Sequence, residues 1–162
     1  MELNIKEWGL TKKIISGVIL LVVLWIIWTI FFGVNQNTQT ILNLPEGSLK
    51  IVNSDGEEID ITIRISNAST SFSGVDSKVI KENVIYYTST FPASAKRKFK
   101  QVSIPIEIAR FDKDGKIKEI HEIPAKMEVT IDPESDYQHT LIAEKGFFEK
   151  NNISVENGST IQ

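Results

Sequence analysis

The chain has no cysteine. That removes disulfides, thiolate metal sites and cysteine nucleophiles together, and with them the sortase type of membrane-anchored β-barrel enzyme. Histidine occurs only at His121 and His139, and the "HEIPA" that follows His121 puts Pro124 and Ala125 where a zinc-binding H-E-x-x-H motif would continue. Serine acyl transfer lacks its markers as well, since no Ser has a Lys three residues on and G-x-S-x-G is absent. A surplus of positive charge is missing too. With 18 Lys and Arg against 21 Asp and Glu, the net charge of -3 leaves no footprint for phosphate neutralisation, so nucleic acid is not an expected partner.

One long apolar run stands out against these absences. Ile14 to Val34, "IISGVILLVVLWIIWTIFFGV", carries no charge, and its 21 residues at a helical rise of about 1.5 Å match the roughly 30 Å hydrocarbon core of a bilayer. A cleaved secretory signal has a shorter apolar region of about 7 to 15 residues and a small-residue cleavage site, and the ending "IFFGVNQNTQ" has no such site. Residues 14–34 are therefore expected to be a transmembrane helix, with the bilayer as partner. Lys6, Lys12 and Lys13 precede the run, and the stretch "NQNTQTILNLPEGSL" after it has no Lys or Arg. The positive-inside rule then places residues 1–13 in the cytoplasm and the rest on the outer face of the cell membrane. Residues 35–45 read as a polar stalk, and 46–162 as the extracytoplasmic domain.

That domain reads as β. "SDG" is a turn between "LKIV" and the alternating Ile59, Ile61, Ile63 and Ile65. Further strand patterns occur at "NVIYYTST", "QVSIPIEIARF", "KIKEIHEI", "MEVTI" and "YQHTLIAE", while "SGVDSKVIKEN" and "GFFEKNN" are short helix candidates. A mainly β fold follows, a compact antiparallel sandwich or small barrel-like domain behind the single helix. Pro105 lacks the N–H of a central strand and so marks a strand start, an edge or a bulge. Around Asp114 and Gly115 two registers compete. A two-residue turn opposes Arg110 to Glu119, Ile106 to Ile123 and Glu107 to Glu122, whereas a three-residue loop with Gly115 left-handed opposes Ile108 to Ile120, Phe111 to Ile117 and Arg110 to Lys118. The same "DKDG" fails as a calcium loop, because counting from Gly115 puts Arg110 at the first ligand position and His121 at the closing one.

The stretch "KFKQVSIPIEIARFDKDGKIKEI", with Ile104, Pro105, Ile106 and Glu107 leading into a strand, an Asp-Gly turn and a second strand, resembles the domain-of-unknown-function 192 family. Downstream "LIAEKGFFEKNNISVENGSTI", with Leu141, Gly146, Ile153 and Gly158, is similar to that family's closing segment. Its members often carry an N-terminal export signal or anchor. The chain departs from the family at Lys98 and Phe99 in place of Trp-Met, at Gln101 and Val102 in place of Asn-Thr, and at Glu107 in place of Asp. The resemblance implies a compact, mostly antiparallel β fold and no established activity.

Candidate contacts are correspondingly few. "AKRKFK" sets four positive charges around Phe99, a composition suited to an acidic envelope protein or an anionic polymer. Lys96, Arg97, Lys98, Phe99, Lys100, Gln101 and Glu107 are taken as ligand or partner contacts, with no catalytic residue, metal ligand or cofactor assigned. The expected function is a binding or interaction module of the cell envelope. Two alternatives are an envelope-polymer hydrolase using carboxylates or His121, and a structural subunit assembled through the transmembrane helix.

Overall fold

A computed structural model of the chain describes residues 15–28, 35–66, 77–93, 96–100, 102–156 and 158–162, and the chain divides into two units, Met1–Gln36 and Asn37–Gln162. In the first, α1 is described over residues 15–28, and its large apolar side chains are 44–67% exposed, so no face of it is buried in protein. Among the described residues no helix is long and apolar enough to cross a membrane; Ile14 and residues 29–34 of the apolar run lie outside them.

The second unit is mainly β. Strands β1 (Glu46–Val52), β2 (Glu58–Ser66), β3 (Val84–Ala93), β5 (Ile106–Phe111), β6 (Ile117–Ile123), β8 (Tyr137–Glu144) and β9 (Thr160–Ile161) form one sheet in the order β6-β5-β8-β3-β2-β1-β9. A separate ribbon pairs β4 (Arg97–Phe99) with β7 (Val129–Ile131). Every neighbouring pair is antiparallel except β2 and β3. That pair needs a crossover connection, and the crossover carries α3 (Ser77–Glu82). The large sheet curls into a half-barrel whose two edges meet at one end. There Lys116 bridges Thr160, the Ile117 N–H donates to the Ser159 carbonyl at 2.9 Å, and the Ile161 N–H donates to the Gly115 carbonyl at 2.8 Å. The expected mainly β domain is present as a curled seven-stranded half-barrel, and the parallel β2–β3 pair departs from the expected antiparallel arrangement.

Both hairpins use the same turn chemistry. In "NSDGE" the Asn53 Oδ1 accepts from the Asp55 and Glu57 N–H groups, and in "DKDGK" the Asp112 Oδ1 accepts from Asp114 and Lys116 in the same way, each at 2.9–3.0 Å. The glycine of each turn is left-handed, with φ of 80° at Gly56 and 77° at Gly115. A short oxygen acceptor followed three residues later by Gly satisfies the tight reversal without a buried loop carbonyl or amide left over. The two-residue register runs along the strands, and of the alternative only the left-handed Gly115 and the Phe111–Ile117 pair occur, since Ile108 opposes His121 and Arg110 opposes Glu119. Next to the turn Phe111 opposes Ile117; beyond an irregularity at Arg110 and Phe111 the pairing shifts by one, so that Arg110 opposes Glu119, Glu107 opposes Glu122 and Ile106 opposes Ile123. The bulge lets the left-handed turn and the apolar pairing coexist. Pro105 stands immediately before β5, and its carbonyl accepts from the Lys145 N–H.

Each face of the sheet has its own core. Inside the curl Leu49, Ile61, Ile63, Phe111, Leu141 and Ile161 pack with Phe148 of α4 (Phe147–Lys150). On the outer face Ile85, Ile106, Ile108 and Ile142 lie against Ile41, Ile80, Phe99 and Ile131 of the covering elements. Ile41 belongs to α2 (Asn35–Leu42), the segment read as a stalk. It is helical, and Ile41 is fully buried. Arg64 holds the helix end in place: its Nη1 donates to the Leu42 and Leu44 carbonyls at 3.0 and 3.1 Å, and its Nη2 pairs with Glu46 at 2.6 Å. The last carbonyls of a helix have no partner of their own, and a guanidinium supplies one.

Candidate functional site

The basic run does not present its charges together. Lys96 pairs with Asp132 at 2.5 Å and Lys98 with Glu128 at 2.6 Å, both exposed pairs along the β4–β7 ribbon. Such pairs contribute little to stability, yet they cancel the outward charge that an anionic polymer would meet. Lys100 is exposed, Phe99 is buried in the outer core, and Gln101 lies outside the described residues. Arg97 is the exception. Its guanidinium lies 5.6 Å from the Tyr87 ring centre and 5.3 Å from that of Phe99, half-buried, and it makes no ion pair among the described residues. Burial pulls its pKa down, the nearby Arg110 charge adds to that, and Tyr137 and Tyr87 act the other way.

Arg97 stands over a polar row that sequence reading did not single out. Directly opposed residues on neighbouring strands share a face, and the register sets Glu119, Arg110, Thr140, Tyr87 and Ser66 side by side across β6, β5, β8, β3 and β2. Four of these five are buried, with Arg110 and Thr140 each only 1% exposed. Arg110 donates from Nη1 to Glu119 Oε1 at 2.7 Å, and its Cζ lies 4.3 Å from the centre of the Tyr137 ring. The second carboxylate oxygen of Glu119 meets His121 Nε2 at 2.8 Å and accepts from the Glu134 N–H at 3.3 Å. Burial works to raise the Glu119 pKa, but the hydrogen bonds from His121, Arg110 and Glu134 and the Arg110 charge outweigh it and hold the group below the usual carboxylate range. Two donors of the row are unused: Arg110 Nη2 and Thr140 Oγ1 are buried and have no hydrogen-bond partner among the described residues.

Glu107 is not part of this group. Three residues before Arg110 on the same strand, it faces the inside of the curl, opposite Glu122 and Ala143, where Lys145 Nζ bonds Glu122 at 2.7 Å. Strand alternation therefore separates Glu107 from Arg97, although the sequence brought them into one list of contacts. The Glu107 Oε2 is buried and has no hydrogen-bond partner among the described residues.

The second histidine lies at the closed end of the half-barrel. His139 Nδ1 meets the Tyr86 hydroxyl at 2.7 Å and Thr88 Oγ1 at 3.2 Å, and the Tyr86 and His139 rings stack with centres 5.9 Å apart. Burial lowers the His139 pKa, opposed by the Asp112 charge and a hydrogen bond to the Lys113 backbone; burial likewise raises that of Tyr86. Both shifts favour the uncharged imidazole and the uncharged phenol, and which of the two donates depends on the His139 tautomer. Both rings border a cavity of about 260 Å³ shared with Leu49, Lys113, Asp114 and Ile161, slightly below the roughly 300 Å³ where small-molecule sites begin. Among the described residues no group of three His, Asp or Glu side chains is placed to hold a metal ion.

No protein-family profile matches the chain, and no curated protein matches it. Among solved structures, a Sinorhizobium meliloti 1021 protein provisionally assigned to transcription regulation superposes with a TM-score of 0.61 at 13% identity, covering 74% of this chain and 94% of its own. A protein of unknown function from Novosphingobium aromaticivorans DSM 12444 gives the same TM-score and identity, covering 74% of this chain and 86% of its own. At that identity the likeness is one of fold alone, and it extends over nearly the whole of both neighbours.

Proposed function

We propose that the chain is a divergent member of the domain-of-unknown-function 192 family that works as a membrane-anchored binding or interaction module of the cell envelope. Residues 14–34 hold it in the bilayer with the N-terminus in the cytoplasm, and the β domain is displayed on the outer face. The family reading is supported by the strand, Asp-Gly turn and strand of β5 and β6, which follow the family's order of motifs. The anchor is supported by the uncharged 21-residue run and by the exposure of its apolar side chains on every side of α1.

The observation that carries the binding reading is Arg97, a half-buried guanidinium held between Tyr87 and Phe99 with no carboxylate opposite it among the described residues. Arginine on aromatic faces is a recurrent feature of recognition surfaces. By contrast, each histidine is committed to a fixed partner, Glu119 or Tyr86, as in a structural network. The test is cosedimentation of the full chain, purified in a non-ionic detergent, with washed cell envelopes. Saturable association that persists in His121→Ala and His139→Ala is the expected result. Release of soluble envelope fragments, abolished by either substitution, would establish a hydrolase instead.

A further inference from the structure

We propose that Arg97, Arg110 and Thr140 form a binding site for a small oxyanion, a carboxylate or phosphate group carried by the module's ligand. Arg97 and the row beneath it bring two guanidinium charges, those of Arg97 and Arg110, to one carboxylate, that of Glu119, so among the described residues a negative charge is wanting beneath β4. Arg110 Nη2 and Thr140 Oγ1 are both buried donors without a partner among the described residues, and they belong to residues directly opposed across β5 and β8. An unpaired buried donor is costly, and two on directly opposed residues, beside a guanidinium with no ion pair among the described residues, are answered at once by an oxygen-rich anion. Planar guanidinium groups bind such groups through paired, charge-assisted hydrogen bonds.

Access is provided along β3. Tyr87, opposite Thr140 in the register, also lines an open cleft of about 570 Å³ with Thr88, Ser89 and Thr90. Arg97 lies over the same Tyr87 ring. An anion in the cleft therefore meets Tyr87 and the Arg97 guanidinium over its ring, with Thr140 and Arg110 next in the row behind Tyr87. The simpler occupant, one water molecule bridging Arg110 Nη2 and Thr140 Oγ1, satisfies the donors but leaves the charge of Arg97 unanswered.

The test is amide NMR titration of the full chain in non-ionic micelles with sodium acetate and, separately, inorganic phosphate, using sodium chloride to hold ionic strength constant. Saturable shifts at residues 97, 110 and 140 with either anion are expected. The anion that binds more tightly identifies a carboxylate or a phosphate source. Arg97→Gln and Thr140→Val should each weaken binding by about tenfold, the effect of losing a hydrogen bond to a charged group, whereas Lys98→Gln on the same ribbon should leave it unchanged. Absence of saturation with both anions, as a resident water would give, overturns the site. So does equal weakening by Lys98→Gln, which would mark diffuse surface attraction. The biological ligand rests on the binding-module reading, and the two fail separately: anion uptake without envelope association removes the module, and envelope association without anion uptake removes the site.

Discussion

Replacing Gly115 and Gly56 by alanine, one at a time, isolates the energy of the seam that closes the half-barrel. The two glycines occupy equivalent positions in turns of the same design, with φ of 77° and 80°. An alanine in the left-handed region costs about 1–2 kcal/mol, offset by about 0.4–1 kcal/mol because alanine also restricts the unfolded chain. At Gly56 nothing lies within 4 Å of an added Cβ, so the net loss should be about 1 kcal/mol. At Gly115 the new methyl runs into the Ile161 carbonyl and its side chain. The Gly115 carbonyl that accepts from the Ile161 N–H must then move, which forfeits a hydrogen bond of about 1 kcal/mol and loosens the packing of buried Ile161. A total of about 2–4 kcal/mol is expected at Gly115. Guanidinium unfolding followed by far-ultraviolet circular dichroism or tyrosine fluorescence measures both. Tryptophan emission would not serve, since Trp8, Trp25 and Trp28 all precede the β domain, whereas Tyr86, Tyr87 and Tyr137 lie within it. Equal losses at the two glycines would refute the seam as a source of stability.

Glu119→Gln should destabilise the domain by about 3–5 kcal/mol, because it leaves the Arg110 charge buried without its counter-ion; a loss below about 1 kcal/mol, read from the same denaturation curves, would place the pair in effective contact with solvent. His139 is depressed in the fold, so its contribution is full above its unfolded pKa of about 6.5 and is lost as the pH falls through the lower folded value. The Tm of the native chain should accordingly fall more steeply than that of His139→Phe as pH drops below about 6.5, and parallel profiles would contradict this. Ile41→Ala should cost about 2–4 kcal/mol if α2 is an integral part of the domain. A chain of unchanged stability would return that segment to the role of a linker.

The hairpins were legible because their signals are local. Asp-Gly after an oxygen acceptor, flanked by isoleucines at every second position, specifies a turn and a buried face from neighbouring residues alone. The same holds for Pro105 at the start of β5. The α2 segment was not legible in this way, since "NQNTQTIL" is polar in composition and its fully buried Ile41 is drawn into the core by α3 and β5 residues far along the chain. Nor was the polar row. Each strand contributes one residue to it, and Ser66, Tyr87, Arg110, Glu119 and Thr140 stand 9 to 23 positions apart in sequence, a spacing with no periodic mark.

By itself, then, the sequence determined the uncharged 21-residue segment, the absence of thiol chemistry, the turns, and the alternation that makes a β domain. These depend on residue type and near neighbours. Only the tertiary structure decided which strands lie side by side, that the sheet curls until Gly115 meets Ile161, and that Lys96 and Lys98 pair with Asp132 and Glu128 while Arg97 packs on Tyr87 and Phe99. The physical reason is that strand order and side-chain partnership are settled by long-range burial, in which a buried charge must find its partner from another part of the chain.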